Sequence, residues 1–163
     1  MPITSFVNYN GNVLPADQPV LLPNNRAFRY GDGVFETIRL MHGDILFFEK
    51  HLDRLKHSMQ LLGMKWRSDF TFHNLYLLIR HLDQVNELKG NGRIRLEIFR
   101  NEGGYYSPAS NEVSFLIEAE PMPLGEYRLN DNPLRIDLFS DMVRSRNKFS
   151  NIKFYFIRHY NNQ

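Results

Sequence analysis

Cysteine is absent from this 163-residue chain, so no disulfide framework is available and a reducing compartment suits it. Net charge is small as well: 20 Lys and Arg against 18 Asp and Glu leave +2, and the basic residues are scattered among acids. That distribution excludes the electrostatic footprint of a nucleic-acid-binding protein. No apolar run approaches the ~20 residues that span a bilayer. Met1-Pro2-Ile3-Thr4-Ser5 lacks the basic stretch and apolar segment of a secretory signal. A soluble cytoplasmic protein is therefore expected, with neither membrane nor nucleic acid as partner. Nucleophile-elbow, P-loop and dinucleotide-binding fingerprints are all missing. The histidines lack metal-site spacing, since neither His51 with His57 nor His73 with His81 gives the i, i+4 geometry of a zinc helix. Tryptophan occurs once, and Trp66 reads as a packing residue.

What is present describes a globular chain: 42% hydrophobic and 13% aromatic residues, enough for one core and a fragment of a second. The organising stretch is 26–54, RAFRYGDGVFETIRLMHGDILFFEKHLDR. Tyr30-Gly31-Asp32-Gly33 is turn chemistry. The next residues alternate, placing Val34, Glu36, Ile38 and Leu40 on one face of a strand and Phe35, Thr37, Arg39 and Met41 on the other. Each face carries one charge. His42-Gly43-Asp44 predicts a hairpin turn into 45–48, after which Leu52, Leu55, Met59 and Leu62 fall at helical intervals and Gly63 stands where a helix ends. The expected helix is 49–62, with Arg54 at the edge of its buried stripe.

Taken in order, the chain predicts a short strand over 5–10, an Asn10-Gly11-Asn12 hairpin turn, and a stretch broken by Pro15, Pro19 and Pro23. Ser68-Asp69 offers a cap for a second helix whose buried face is Leu75, Leu78, Ile79, Leu82 and Val85, closed by Lys89-Gly90-Asn91-Gly92. Residues 93–100 alternate again, with Ile94, Leu96 and Ile98 opposite Arg93, Arg95 and Glu97. By pattern alone this is an edge or surface strand with a solvated charged face. A glycine-rich loop with Tyr105 and Tyr106 follows, then a strand over 113–118. Pro121-Met122-Pro123-Leu124-Gly125 reads as a linker, and 134–139 as the first strand beyond it.

The run YGDGVFETIR followed by HLDRL resembles the N-terminal domain of the class IV, or fold-type IV, pyridoxal-phosphate enzymes: branched-chain aminotransferases, D-amino acid aminotransferases and aminodeoxychorismate lyases. The resemblance implies an α+β fold, with a small antiparallel sheet and two helices over 1–120, a linker over 121–132, and the start of a second, β-rich cofactor domain over 133–163. It implies pyridoxal 5'-phosphate as cofactor, an amino acid or 2-oxo acid as substrate, and a homodimer in which the Gly103–Tyr106 loop crosses to the neighbouring active site. Residue by residue, it matches Arg54 to the phosphate anchor, Arg95 to a substrate-carboxylate ligand, and Tyr30, Phe35, Thr37 and Arg39 to substrate contacts.

Ser150-Asn151-Ile152-Lys153 resembles the segment carrying the family's Schiff-base lysine. Without the resemblance Lys153 reads as a surface lysine, and Lys148 is its local competitor. Beyond Lys153 the likeness stops. Phe154-Tyr155-Phe156-Ile157-Arg158-His159 does not continue as the family does, and the acidic residue that keeps the pyridine nitrogen protonated has no match. The chain is expected to be an incomplete enzyme, inactive alone. A truncation, a shifted reading frame and a natural short product all agree with that, the change at Phe154 favouring a disrupted frame. The alternatives are a lyase of the same family and a non-catalytic remnant acting as an interaction module.

Overall fold

Alternation of apolar and polar side chains builds a sheet whose two faces have different company, and a computed structural model describes residues 5–123 together with 135, 136 and 153. The strands are β1 (Phe6–Tyr9), β2 (Asn12–Pro15), β3 (Gly33–Met41), β4 (Asp44–Ile45), β5 (Gly92–Arg100) and β6 (Val113–Pro121). All pairings are antiparallel, in the order β2-β1-β6-β5-β3-β4. Helices α1 (Arg26–Tyr30), α2 (Phe48–Leu61) and α3 (Phe72–Val85) complete an α+β fold. The five-residue α1 joins the two long helices anticipated from the sequence. None of these helices is long and apolar enough to cross a membrane.

Register fixes the faces. Val34, Glu36 and Ile38 lie opposite Ile98, Leu96 and Ile94, whereas Phe35, Thr37 and Arg39 lie opposite Glu97, Arg95 and Arg93. The first set faces the core with Leu40, Leu55, Met59, Leu75, Ile79 and Leu82, all at most 1% exposed. Each such side chain contributes roughly 1.5–3 kcal/mol by leaving water. Helix α2 packs on β3, and α3 on β1 and β6. Trp66 packs on the core as expected, edge-on to Phe70 at 5.3 Å, and Phe70 in turn meets Phe115 edge-on at 5.3 Å.

The local differences from the sequence reading have physical causes. Strand β5 is not at an edge: β6 and β3 flank it, so edge exposure does not account for its charges. The apolar run after Gly43 yields only a two-residue strand, because Phe47 takes a left-handed conformation (φ 53) and the helix begins at Phe48. The second long helix is capped by Thr71, whose hydroxyl accepts from Asn74 N at 3.1 Å, while Asp69 is engaged by Arg67 at 2.6 and 2.8 Å. Asn25 caps α1 by accepting from Ala27 N, and Gly31 ends it at φ 64, a conformation that glycine adopts without strain. Strand β6 runs on through Pro121. Most of the expected linker and second domain, including the strand over 134–139 apart from the exposed Arg135 and Ile136, lies outside the described residues.

Candidate functional site

The face of the sheet turned away from the helices is unusually charged. Arg39 lies on β3, Arg93, Arg95 and Glu97 on β5, and Glu118 and Glu120 on β6, brought side by side by the register. Arg95 stacks on Phe35, its guanidinium carbon 4.0 Å from the ring centroid, an arrangement that a cation and an aromatic face favour. Its Nε donates to Glu97 and stands 3.9 Å from Glu118. Arg93 donates to Glu120 at 2.7 Å, and Arg39 to the carbonyl of Pro123 at 3.2 Å. Burial and then the nearby Glu97 push the Glu118 carboxyl above its usual value; Glu120 adds to this, and Arg95 and Arg93 oppose it.

Lys153 comes alongside β3, where its carbonyl accepts from Phe35 N at 3.0 Å. The lysine is exposed. Phe35, Thr37, Arg39 and Arg95 therefore share one face, and Lys153 is joined to the strand that carries three of them.

Arg54 approaches β3 from the helix-covered side. Its Nε donates to Glu36 at 2.6 Å and its Nη2 to the other oxygen of the same carboxylate. Glu36 is the charge on the core face of β3, with a side chain only 2% exposed, against 42% for Arg54. His51, one turn earlier on α2, places Nδ1 2.8 Å from Glu36. Burial raises the carboxyl of Glu36, but the hydrogen bonds and charges of Arg54 and His51 outweigh it and hold the group below its usual value.

Tyr30 is the last residue of α1, half-way out to solvent, with Arg26 4.9 Å from its ring. Arg26 is itself buried, paired with Asp32 at 2.7 Å, and donates to the carbonyls of Gly103, Gly104 and Tyr105. Asp32 also takes Arg100, at 3.1 Å. Sequence reading missed Glu36, His51 and this Asp32 cluster. The signal for the first pair was a carboxylate inside an apolar alternation, which demands a cation from whatever packs on it.

The sheet and its covering helices resemble the solved branched-chain amino acid aminotransferase of Escherichia coli, with TM-score 0.65 and 22% identity over 76% of this chain and 41% of that one. Among curated proteins, aminodeoxychorismate lyase of Bacillus subtilis (strain 168) is 33% identical over 57% of this chain, and D-alanine aminotransferase of Bacillus licheniformis 25% identical over 59%. Residues 33–155 match the family described as amino-transferase class IV, and the chain belongs to that family. It spans about a third of the length of these two curated relatives.

The residues present fit the pyridoxal phosphate that the family implies. A phosphate dianion calls for a planar fork of donors, and with Nε and Nη2 on Glu36 the Nη1 of Arg54 has no partner among the described residues. An aldehyde calls for a primary amine in reach of solvent, and Lys153 is exposed.

Proposed function

We propose that this chain is the N-terminal part of a pyridoxal-phosphate-dependent aminotransferase of the branched-chain type, exchanging an amino group between an amino acid and a 2-oxo acid as a cytoplasmic homodimer. The supporting observation is the 3.0 Å bond from Phe35 N to the Lys153 carbonyl, which ties the amine-bearing residue to the strand of the candidate substrate contacts. In this reading Arg54 holds the phosphate, and Lys153 holds the cofactor covalently and moves the proton at the substrate α-carbon. Arg95 takes the substrate carboxylate, displacing part of its contact with Glu97 and Glu118. Phe35, Thr37, Arg39 and Tyr30 surround the rest of the substrate. Pyridoxal phosphate, when bound, supplies the electron sink.

A second reading, aminodeoxychorismate lyase, is favoured by the 33% identity to the Bacillus subtilis protein of that activity. The two diverge in a half-reaction assay: loaded protein is mixed with branched-chain and D-amino acids, and separately with aminodeoxychorismate, and product release is followed. The test common to both is borohydride reduction after incubation with pyridoxal phosphate. Label on the Lys153 peptide, lost in Lys153→Ala, is expected; label unaffected by that substitution overturns the reading and leaves the interaction module. For the 163-residue chain alone, turnover no faster than with free pyridoxal phosphate is expected, since no acid in it matches the pyridine-nitrogen partner.

A further inference from the structure

Two turns meet where β3 ends and β5 begins, and a cavity of about 470 Å³ lies between them, lined by no residue of the charged outward face. One is the β3–β4 turn, whose Gly43 N donates to the Gly90 carbonyl at 3.0 Å; the other leads from α3 into β5. A buried acid ties them together: Asp83, 4% exposed, accepts from Gly90 N at 2.9 Å and from Arg80 Nη1 at 2.8 Å. The same Nη1 donates to the Gly43 carbonyl at 3.1 Å, so one nitrogen holds the guanidinium in place while Nε and Nη2 have no partner among the described residues. Glu87 and Lys89 also line the cavity, exposed on either side of the buried Leu88, and neither side chain is engaged by a hydrogen bond or ion pair among the described residues. We propose that this cavity binds a polar α-amino acid as its zwitterion, with the carboxylate on Arg80 and Lys89 and the ammonium on Glu87. The inference is independent of the substrate contacts assigned above.

Charge selects the ligand. With His42 neutral, Arg80 and Lys89 balance Asp83 and Glu87, so the lining carries no net charge. A phosphate dianion would gain the two cations but meet the unpaired Glu87, and it would find no net field to hold it. A zwitterion answers both signs, since its carboxylate and ammonium sit on one carbon and a guanidinium matches the carboxylate with a fork of donors. No apolar side chain lines the cavity, and the Gln84 amide offers both a donor and acceptors, so a polar ligand side chain is matched and an apolar one is not. The backbone agrees. Of the five non-glycine residues at positive φ among the described residues, three line this cavity: His42 (φ 51), Glu87 (φ 52) and Lys89 (φ 55). Such conformations cost free energy and gather at ligand clamps. An acid and a base two residues apart on one rim, each left unengaged, are completed by a molecule that carries both charges.

The experiment titrates the isotope-labelled 163-residue chain, without cofactor, and follows its backbone amide resonances. The probes are L-glutamine, L-serine, N-acetyl-L-glutamine, which lacks the ammonium, L-glutaminamide, which lacks the carboxylate, and inorganic phosphate. Saturable shifts at Gly43, Glu87, Lys89 and Gly90 are expected with glutamine or serine. Each blocked analogue should bind wild type about tenfold more weakly than glutamine, the scale of one charge-assisted hydrogen bond. Glutamine affinity should fall about tenfold in Glu87→Gln and in Lys89→Ala, both at exposed positions that the fold tolerates, while N-acetylglutamine should bind Glu87→Gln as it binds wild type. Arg95→Ala should change none of these values. Amino-acid affinity lost in Arg95→Ala but kept in Glu87→Gln and Lys89→Ala overturns this inference and leaves the aminotransferase reading standing. The absence of saturable shifts at the cavity with both amino acids overturns it, and so does tighter binding of phosphate than of either. Failure of the Lys153 label, by contrast, overturns the aminotransferase reading and leaves this site intact.

Discussion

The two faces of β3 and β5 are made by alternate residues of the same nine-residue strands, yet they obey different rules. On the helix side Ile38, Ile94, Leu96 and Ile98 are at most 1% exposed, and the charge that β3 places on that face, Glu36, is answered by two partners from α2. On the other side three arginines and three glutamates interleave: Arg93 pairs with Glu120 across to β6, Arg95 with Glu97 on its own strand and Glu118 on the next, and Arg39 donates to a backbone carbonyl. A shift of one residue in register would exchange the faces, so the packing that fixes the core also fixes which charged groups look outward. Stability and candidate chemistry are thereby encoded in odd and even positions of one segment.

Substitutions on alternate residues break that comparison most directly. Leu96→Ala, fully buried, should cost about 3 kcal/mol in denaturant unfolding, because the cavity it leaves among β-strand and helix side chains cannot collapse fully. Arg39→Ala, half-buried on the other face, should change stability by no more than ~0.5 kcal/mol. Equal costs for the two would mean that the outward face is structural, and with it the proposed substrate surface would be lost.

The smallest expected effect separates two acids, the buried Glu36 and the half-buried Glu118, by sign. Glu36 is held below its usual value of 4.5, so the unfolded chain binds the extra proton; its contribution is complete above 4.5 and is lost as pH falls through the lowered value. Glu118 is raised above 4.5, so the folded chain binds the extra proton, and stability falls as pH rises from 4.5 through the raised value. Stability measured against pH should therefore fall less on the acid side in Glu36→Gln, where Asp69 remains as a second lowered carboxyl, and fall less above 4.5 in Glu118→Gln. The second change is the weaker, since the Glu118 side chain is 41% exposed and screened by water.

Strands β3 and β5 and helix α2 were legible because periodicity records burial directly: the residues at every second or every third and fourth position are those found inside. The Arg54 fork was half legible. Its place at the margin of the α2 stripe follows from spacing, but its partner is 18 residues away on a strand, and nothing local announces it. Helix α1 was hidden because it is little more than one turn long and follows a proline-broken stretch, held by the side chain of Asn25 and by Gly31. Thr71 competed with Ser68 and Asp69 for the role of cap, and Asp69 was taken by Arg67, a choice that depends on the folded turn. Arg26, Asp32 and Arg100 come from three separate elements, so their cluster exists only once the sheet is formed.

That cluster gives the loop after β5 an unusual division of labour. The stem is anchored by backbone carbonyls of Gly103, Gly104 and Tyr105 on a buried guanidinium, and Gly104 is confined to glycine, since a β-carbon there would lie 2.1 Å from the carbonyl of Ser107. At the tip, Tyr105 and Tyr106 are 78% and 98% exposed. Because the anchor grips main chain and not side chains, the two tip residues are free to vary while the loop keeps its shape. In the language of protein engineering, the chain carries a ready-made display site: a rigid stem whose outward letters can be rewritten without editing the fold beneath them.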